Sequence, residues 1–504
     1  MKRKMVYGSV VILALCLLKF QFRFLDKNSG SNFTTQVSYS NHEIVETIVL
    51  PGFCNNGIPG KISCDSLRHN DSIGVEQSFH LDDDMVQIAM SMWSHPLIGD
   101  HYGELVIPFD QLVKMTWSRF HGSGVWLPDY GVYLVVSRVI YSPLDGAQIV
   151  SFLRGQIYDE EWNSLENYTI HGNCNDTTFP RIFEIPAAWD TKGGPVGPED
   201  PRVILEEVPN AEPVIIFNMP LLDNPQRRAM WIHRPFSNFT TPLTIRNGQP
   251  ARIEKNWAPF FFPEADNSLS SSSSSRPPSQ YLHFVYSLRP LYILKCHLLD
   301  GYCDWIFKQE VTPNQFILPH QRVPVAMHGG TNFVSVPLAN AFIQPGVNIY
   351  VGFPRTHLDG ACSQGATYRP ELMVMTSMGA SYFHLAYASE AIDFSNAVLD
   401  PEALDIPCAD GRILIPNSII RWDQRHDKIT LSVSVADKTV QIVYLHGILR
   451  LTNSLPLFPE FLKQDFSQGG EALWNFRWSI VGNDVLACSI EAVANASYRN
   501  AIEN

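Results

Sequence analysis

The fold is decided by runs such as VYLVVSRVIY at residues 132–141, where β-branched and aromatic side chains follow one another without a helical period. Similar short runs lie at Val203–Val208, Val214–Asn218, Tyr281–Leu288, Asn348–Phe353 and Ile429–Val435. Proline, glycine and Asn-Gly pairs separate these runs, and such a pattern is typical of many short β-strands. It predicts an all-β fold, either a propeller or a pair of sandwiches, rather than alternating β-α units.

Two segments differ from this pattern. Residues 84–93 have helical spacing and follow Asp82, Asp83 and Asp84, whose negative charge favours a helix N-terminus. The same acidic run contains the DxD pattern that many nucleotide-sugar transferases use to hold a metal. Because no apolar strand precedes it, we interpret the run as a helix cap. The serine-rich stretch at 267–280 predicts a flexible surface loop.

The N-terminus predicts a lumenal protein. Lys2, Arg3 and Lys4 precede an apolar run from Met5 to Leu18, which is either a secretory signal or a short membrane anchor. No small-x-small cleavage site follows, so we expect an uncleaved anchor within residues 1–23. A polar stem over 24–50 and a lumenal body over 51–504 then follow. The basic residues place the N-terminus in the cytosol, as in a single-pass type II protein.

Sequons and cysteines agree with a lumenal body. Six Asn-x-Ser/Thr sequons begin at Asn32, Asn70, Asn167, Asn175, Asn238 and Asn495. Outside the apolar run the cysteines form an even set, which suits disulfides in an oxidising compartment. The expected local pairs are Cys54 with Cys64 and Cys296 with Cys303. No closely spaced Cys/His cluster indicates a zinc site.

The charge balance limits the partners. Asp and Glu total 50 against 37 Lys and Arg, giving a net charge of −13. A general nucleic-acid-binding surface is therefore excluded, and an anionic ligand requires a local cationic pocket.

The first segment that suggests chemistry is GPEDPRV at 197–203. Pro201 predicts extended geometry for Asp200, and residues two apart in a strand share a face. Asp200 and Arg202 would then project together while Glu199 points the other way. A carboxylate beside a guanidinium suits the removal of a hydroxyl proton near a phosphate or a sugar; a turn with a salt bridge is the alternative.

Two further segments carry candidate ligands. In EKNWAPF at 254–260, Lys255, Asn256 and Trp257 combine an aromatic ring with polar partners, as carbohydrate sites do, although Trp257 fits a core position equally well. In the later segments HGGTN, FPRTHLD and YRPE, an extended chain would place Arg355, His357 and Asp359 on one face. The guanidinium groups match phosphate oxygens. The residues of interest there are His328, Asn332, Arg355, His357 and Arg369.

Together these segments resemble the fungal β-1,2-mannosyltransferases, type II Golgi enzymes that transfer mannose from GDP-mannose to cell-wall mannan and N-glycan outer chains. The resemblance extends from about Gly122 to Gly447 and rests on GPEDPRV, EKNWAPF, HGGTNFV, GFPRTH and YRPEL. The segments are more distantly similar to β-mannoside phosphorylases and hydrolases, whose EDPR, KN and AAD-type segments line the centre of a five-bladed propeller. Val435-Ala436-Asp437 corresponds to the last of these.

The resemblance implies a five-bladed β-propeller catalytic domain behind an N-terminal anchor and a short stem, in the Golgi membrane. It implies an inverting transfer in which Asp200 is the base, with GDP-mannose as donor and mannan or an N-glycan as acceptor. Arg202, Lys255, Arg355 and Arg369 would hold the donor pyrophosphate. The sugar-binding candidates are Glu199, Asn256, Trp257, His328, Asn332, His357 and Asp437. A divalent cation, Mn²⁺ or Mg²⁺, is left open as cofactor, and its influence is expected to be weak.

Two alternatives stay open at this point. One is a β-mannoside phosphorylase or hydrolase on the same scaffold, and the other is a non-catalytic lumenal lectin. Also open is whether the acceptor ends in α-mannose, in β-mannose or in a phosphomannose branch.

Overall fold

The computed structural model describes residue 64 and residues 73–81, 85–98, 107–146, 148–172, 176–189, 195–262, 276–309, 325–336, 347–359, 366–392, 394, 413–454, 479 and 481–495. The expected anchor, the stem and the run Asp82–Asp84 lie outside these residues, as does most of the serine-rich stretch. No helix of the described part has the length and apolarity needed to cross a membrane.

The chain enters the fold through β1 (Gly74–His80) and two short helices, α1 (Met85–Ser91) and α2 (Phe109–Thr116). The first blade follows, with β2 (Trp117–Leu127), β3 (Val132–Tyr141), β4 (Val150–Tyr158) and β5 (Ser164–Leu165). A small ribbon of β6 (Tyr168–His171) and β7 (Asp176–Phe179) leads to β8 (Arg181–Ile182), which pairs with β4.

The second and third blades lie next along the chain. The second contains β9 (Glu199–Ile204), β10 (Val214–Pro220), β11 (Arg228–Arg234) and β12 (Phe239–Pro242). The third contains β13 (Thr244–Ile245), β14 (Ala258–Phe260), β15 (Tyr281–Leu288), β16 (Leu291–His297) and β17 (Tyr302–Lys308). All named strands of the two blades pair antiparallel except β13, which runs parallel to β17.

The fourth blade contains β18 (Ala326–His328), β19 (Val334–Ser335), β20 (Val347–Gly352), β21 (Arg355–Asp359), β22 (Ala366–Met378) and β23 (Tyr382–Ala391). The fifth contains β24 (Leu414–Asp423), β25 (Lys428–Val435) and β26 (Thr439–His446), followed by α3 (Ile448–Ser454). Strand β1 completes this last blade by pairing with β26 in the order β1-β26-β25-β24. The N-terminal strand therefore closes the ring.

Apolar cores between neighbouring blades hold the ring together. One core joins the first blade to the second, and another joins the second to the third. A larger core spans the third, fourth and fifth blades, and a fifth-to-first core around Val440 and Tyr133 completes the circle. Because each sheet buries both faces against its neighbours, whole strands such as β3 and β4 are buried, and their sequences show no alternation.

The structure confirms the all-β prediction and selects the propeller over the pair of sandwiches. The runs expected at residues 132–141 and 281–288 coincide with β3 and β15. The strand expected at Val203–Val208 was misplaced, since β9 covers Glu199–Ile204 and includes Pro201. Proline is tolerated there because β9 is the edge strand of its sheet, where a backbone donor is not needed for pairing.

The disulfides confirm one expected pair and correct the other. Cys296 and Cys303 are bonded across β16 and β17. Cys64 is bonded to Cys488, 424 positions away, and not to Cys54 as expected. Cys488 belongs to a helical segment at 481–495, so this bond ties the approach to β1 to the C-terminal part of the chain.

Candidate functional site

The site lies where the inner strands of the blades converge, and several of its residues have left-handed backbone. His121, Asp200, Asn256 and Asp437 all have positive φ angles, of 50°, 54°, 65° and 54°. Such conformations are costly for residues other than glycine and cluster at functional sites. These four residues come from the first, second, third and fifth parts of the ring, and the strain therefore recurs around one centre.

Asp200 does not have the extended geometry that Pro201 predicted. Its φ is positive, and the pairing of β9 with β10 shifts register between Ile216 and Asn218, as a β-bulge does. Gly197, just before the bulge, has a φ of 88°, and a Cβ there would lie 2.0 Å from the carbonyl oxygen of Ser151. The close approach explains the glycine at the head of GPEDPR.

The carboxylate of Asp200 is held by groups from two blades. Its Oδ1 lies 2.8 Å from His121 Nδ1 and 3.3 Å from Arg138 Nη1. Its Oδ2 lies 3.5 Å from Asn218 Nδ2, and the side chain is 24% exposed. Oδ2 is therefore the oxygen with the weaker protein contacts.

The charges around Asp200 keep it ionised. Burial alone would raise the pKa of Asp200, but the charge and hydrogen bond of His121, together with Arg138 and Arg202, outweigh burial and hold it well below its usual value. Asp200 is thus an anion at every pH near neutrality.

Glu199 places a second carboxylate beside Asp200. Its Oε1 lies 3.2 Å from Arg138 Nη2 and 3.0 Å from Arg228 Nη2. Burial raises the pKa of Glu199, the two arginines oppose that shift, and Asp200 adds to it. Glu199 was expected to point away from Asp200; this is wrong, because both carboxylates bind the guanidinium of Arg138.

Two buried arginines fix the Gly329-Gly330 turn. Arg202 Nε donates to the carbonyl oxygen of Gly330, and Arg355 Nη1 donates to that of Gly329. Arg355 Nη2 also donates to Asn256 Oδ1 at 2.8 Å. A Cβ at Gly330 would lie 2.1 Å from the carbonyl oxygen of Phe353, so the sequence requires a glycine at this position.

This part of the centre carries excess positive charge. Burial and the neighbouring Arg355 lower the pKa of Arg202 to about 9, against the attraction of Asp200. Burial also lowers the pKa of His328 to about 4, with Arg355, His357 and Lys255 adding to the shift. His328 is therefore neutral near pH 7, and two arginines share a desolvated pocket.

The fourth blade partly fits the expectation for the later segments. The ring of His357 stacks on that of Tyr368 at 4.8 Å, and the guanidinium of Arg355 lies 5.8 Å from the centre of the same ring. Arg355 and His357 therefore share one face, as predicted, whereas the side chain of Asp359, expected on the same face, lies outside the described part of the structure. Arg369 follows Tyr368 in β22, so its side chain leaves the strand on the opposite face, and it lies close enough to the buried Glu371 to affect it electrostatically.

Two sugar-binding candidates have structural positions instead. Trp257 is 2% exposed, packs against Phe284 and Tyr286, and belongs to the core between the second and third blades. Asn332 is 5% exposed, and its amide accepts from the backbone N–H of Ile419 and donates to the carbonyl of the same residue. Trp257 thus takes the core alternative, and the amide of Asn332 is already used by protein.

The other candidates lie near the centre. Lys255 is exposed and close enough to His328 to affect it electrostatically. Asp437 follows β25, is 41% exposed, and its Oδ1 lies 3.5 Å from His121 Nε2. The third and fifth blades therefore contribute to the same centre.

Sequence reasoning missed His121, Arg138, Asn218 and Arg228. A signal was present for Arg138, because a charged residue inside a mostly apolar strand needs a buried partner. His121 precedes the Gly122-Ser123-Gly124 segment, and nothing local distinguishes it from a structural histidine.

The described residues contain no group of three or more His, Cys, Asp or Glu side chains that could hold a metal ion. The charged side chains that meet at this centre include Arg138, Arg202, Arg228, Lys255, Arg355, Glu199, Asp200 and Asp437, and the buried Glu371 lies near Arg355.

Fold and site together define a five-bladed propeller with a charged centre formed by several blades. The chain belongs to the beta-mannosyltransferase family, whose model matches residues 63–229 and 233–494. It is 32% identical over 413 residues to Beta-mannosyltransferase 1 of Komagataella phaffii, covering 77% of this chain and 60% of that protein. It is 28% identical over 512 residues to Beta-mannosyltransferase 4 of Candida albicans, covering 84% of this chain and 63% of that one.

The chain thus spans about three-fifths of the length of these relatives. Among solved structures, it is similar to a β-1,2-mannobiose phosphorylase from Listeria innocua, with a TM-score of 0.38 and 12% identity over 70% of this chain and 95% of that one.

Proposed function

We propose that the chain is an inverting β-1,2-mannosyltransferase that moves mannose from GDP-mannose to mannose residues of cell-wall mannan or N-glycan outer chains. Membership of the beta-mannosyltransferase family supports the reaction class. The observation that carries the proposal is the partly exposed carboxylate of Asp200 beside the guanidinium groups of Arg138 and Arg202. Such a centre suits a reaction in which a hydroxyl loses a proton while a diphosphate leaves.

The stereochemistry requires one base. GDP-mannose is α-linked and the product is β-linked, so a single displacement inverts the anomeric carbon. The acceptor O2–H bond breaks as the O2–C1 bond forms, and the C1–O bond to the diphosphate breaks with its electron pair. Asp200 accepts the proton, and Oδ2 is the better placed oxygen because His121 and Arg138 occupy Oδ1.

The cations hold the diphosphate of the donor. Lys255 is exposed beside His328 and can reach a phosphate directly. Arg202 and Arg355 lie deeper and hold the Gly329-Gly330 turn, so their charge acts on the diphosphate from behind that turn. Arg369 is a weaker candidate because it lies on the other face of β22.

The acceptor sugar then lies toward Asp437, the most exposed of the three central carboxylates. Three further candidates lie in the same region. Asn256 accepts a hydrogen bond from Arg355, and His328 is close enough to Arg355 and His357 to be affected by their charges. The ring of His357 stacks on that of Tyr368. Glu199 acts through Arg138 by neutralising a guanidinium that Asp200 also binds.

The test is transfer by the full-length chain in detergent. The protein is mixed with GDP-mannose and an α-1,2-mannooligosaccharide, and the products are analysed by mass spectrometry and linkage NMR. We expect β-1,2-linked mannose from the wild type and from Asp304→Asn, a matched change on an outer strand, and none from Asp200→Asn. Phosphate-dependent shortening of a β-1,2-mannoside, without transfer, would instead assign the protein to the degradative reaction.

We also propose that residues 1–23 anchor the protein in the Golgi membrane, with the stem at 24–50 and the catalytic domain at 51–504 in the lumen. The basic tip and apolar run support this proposal. Carbonate extraction and protease protection of a C-terminally tagged chain test it; a soluble, secreted tag would contradict the anchor.

A further inference from the structure

His121 stands between two carboxylates of the centre that come from different blades. Its Nδ1 lies 2.8 Å from Asp200 Oδ1, and its Nε2 lies 3.5 Å from Asp437 Oδ1. Exposure of the side chains rises from 10% at His121 to 24% at Asp200 and 41% at Asp437. The imidazole is thus the buried member of a group whose carboxylates reach solvent.

The backbone conformation of His121 is fixed by a register shift and by a hydrogen bond to another blade. Its φ is 50°, and the register of β2 against β3 shifts between Phe120 and Ser123. The N–H of His121 donates to Ser434 Oγ of the fifth blade at 2.8 Å, and Asn417 Nδ2 donates to the same hydroxyl at 2.8 Å. A strained residue persists only when its surroundings specify it, so the fold specifies where this imidazole lies.

We propose that His121 is the positioning residue of the catalytic base. Its Nδ1–H holds Oδ1 of Asp200, so that Oδ2 is presented to the acceptor hydroxyl. The inference rests on the proposed transferase function and adds a residue that the sequence did not suggest.

Geometry supports a positioning role for His121 over a role as the base itself. Nε2 is buried and faces Asp437, whereas Asp200 is partly open to solvent. The resting contact requires the proton on Nδ1, because an ionised carboxylate cannot donate. An imidazole that donates to a carboxylate through Nδ1 fixes that carboxylate in one rotamer.

Two substitutions separate the two ring nitrogens. In His121→Asn the amide nitrogen takes the place of Nδ1 and can still donate to Asp200. In His121→Gln the amide lies near the place of Nε2, and the donor to Asp200 is lost. The two variants remove the same ring and differ in whether Asp200 Oδ1 keeps a donor at the place of Nδ1.

We expect His121→Asn to keep kcat within about tenfold of the wild type and His121→Gln to lose about 10²–10³-fold, since a positioned base contributes about 10²–10⁴-fold. KM for GDP-mannose should stay within about threefold in both. Equal losses of kcat, or a loss confined to KM or to the melting temperature, would overturn the proposal.

A second measurement does not depend on turnover. The pKa of Asp200, followed by carboxyl ¹³C NMR, should rise in both variants and rise more in His121→Gln, because His121 lowers it by charge and by hydrogen bond. The other charged groups around the pair are unchanged in both: Glu199, Arg138, Arg202, Arg355 and Asp437. An unchanged titration would refute the contact, whereas a wild type that makes no β-mannoside would refute only the proposed function.

Discussion

The carboxylates of Glu199 and Asp200, consecutive residues of one strand, lie 3.2 and 3.3 Å from nitrogens of the same guanidinium, that of Arg138. A regular strand would send the two side chains to opposite faces. The bulge in β9 brings them together, so one arginine of the first blade sets the charge of two acids of the second. The pKa values of these two carboxyl groups therefore depend on a contact between the first and second blades.

Arg138→Gln should move the acid limb of the rate profile to higher pH. Arg138 is one of the groups that hold the pKa of Asp200 below its usual value, so its loss raises that pKa. Asp200 works only when ionised, and it would be protonated at a higher pH in the variant. Initial rates measured between about pH 4 and pH 8 check this, and superimposable profiles would contradict it.

The same variant should show a pH-dependent loss of stability. A carboxyl with a lowered folded-state pKa contributes stability above its unfolded pKa, about 3.9, and loses it as the pH falls through the folded value. The stability difference between wild type and Arg138→Gln should thus be largest near neutrality and shrink in acid. Thermal unfolding at several pH values measures it. Arg246→Gln, on an exposed pair, is the control and should show little change.

Lys255→Ala should weaken donor binding without affecting the fold. Lys255 is an exposed cation beside the centre, so its removal should raise KM for GDP-mannose about three- to tenfold and leave kcat nearly unchanged. Because exposed charges are screened, the effect should shrink at high salt. Steady-state kinetics at two ionic strengths give the answer, with Lys308→Ala on an outer strand as the control. An equal effect of both substitutions would argue against a local role.

The strands could be predicted because each is encoded by the residues of its own short segment. Runs such as residues 132–141 and 281–288 are apolar and β-branched whatever they pack against, and they are strands in the structure. The five-bladed count came from the resemblance of short motifs, since no fixed repeat is visible in the sequence. Prediction failed at Asp200, where proline favours an extended residue and the bulge imposes a positive φ.

The site was predictable only in part because its contacts cross the ring. The segment EDPR pointed to Glu199, Asp200 and Arg202, but their partners His121 and Arg138 are 62 to 79 positions away in another blade. Trp257 was expected as a possible sugar ligand, but it is buried in the core. The local sequence around a tryptophan does not distinguish a ring that faces a sugar from one that faces the core. Pairing over such separations depends on the closed ring, which the local sequence does not encode.

Asn332→Ala should destabilise the protein and leave catalysis intact. The amide of Asn332 satisfies both the N–H and the carbonyl of Ile419, and an unpaired buried polar group costs about 1–3 kcal/mol. We expect a loss of roughly 2–4 kcal/mol in the free energy of unfolding, with kcat and KM of the folded enzyme unchanged. Denaturant titration and kinetics on one preparation test this. The control Asn348→Ala removes a single hydrogen bond of 3.3 Å in the same blade and should cost less. A raised KM for the acceptor with normal stability would restore Asn332 as a sugar ligand.

Cys488→Ala should destabilise the fold more than Cys303→Ala. Cys64 and Cys488 are 424 positions apart, whereas Cys296 and Cys303 are separated by 7. The loop-entropy relation gives about 6 kcal/mol for the long loop and about 2.5 kcal/mol for the short one as upper values. The helical segment that carries Cys488 is also held by Ser489 Oγ, which donates to the carbonyl of Ser389 at 2.6 Å, so the segment keeps a contact with the fourth blade without the disulfide. We therefore expect Cys488→Ala to fold with the kcat of the wild type and a clearly lower denaturant midpoint, followed by tryptophan fluorescence. Equal midpoints for the two variants would show that the long disulfide stabilises the protein no more than the short one.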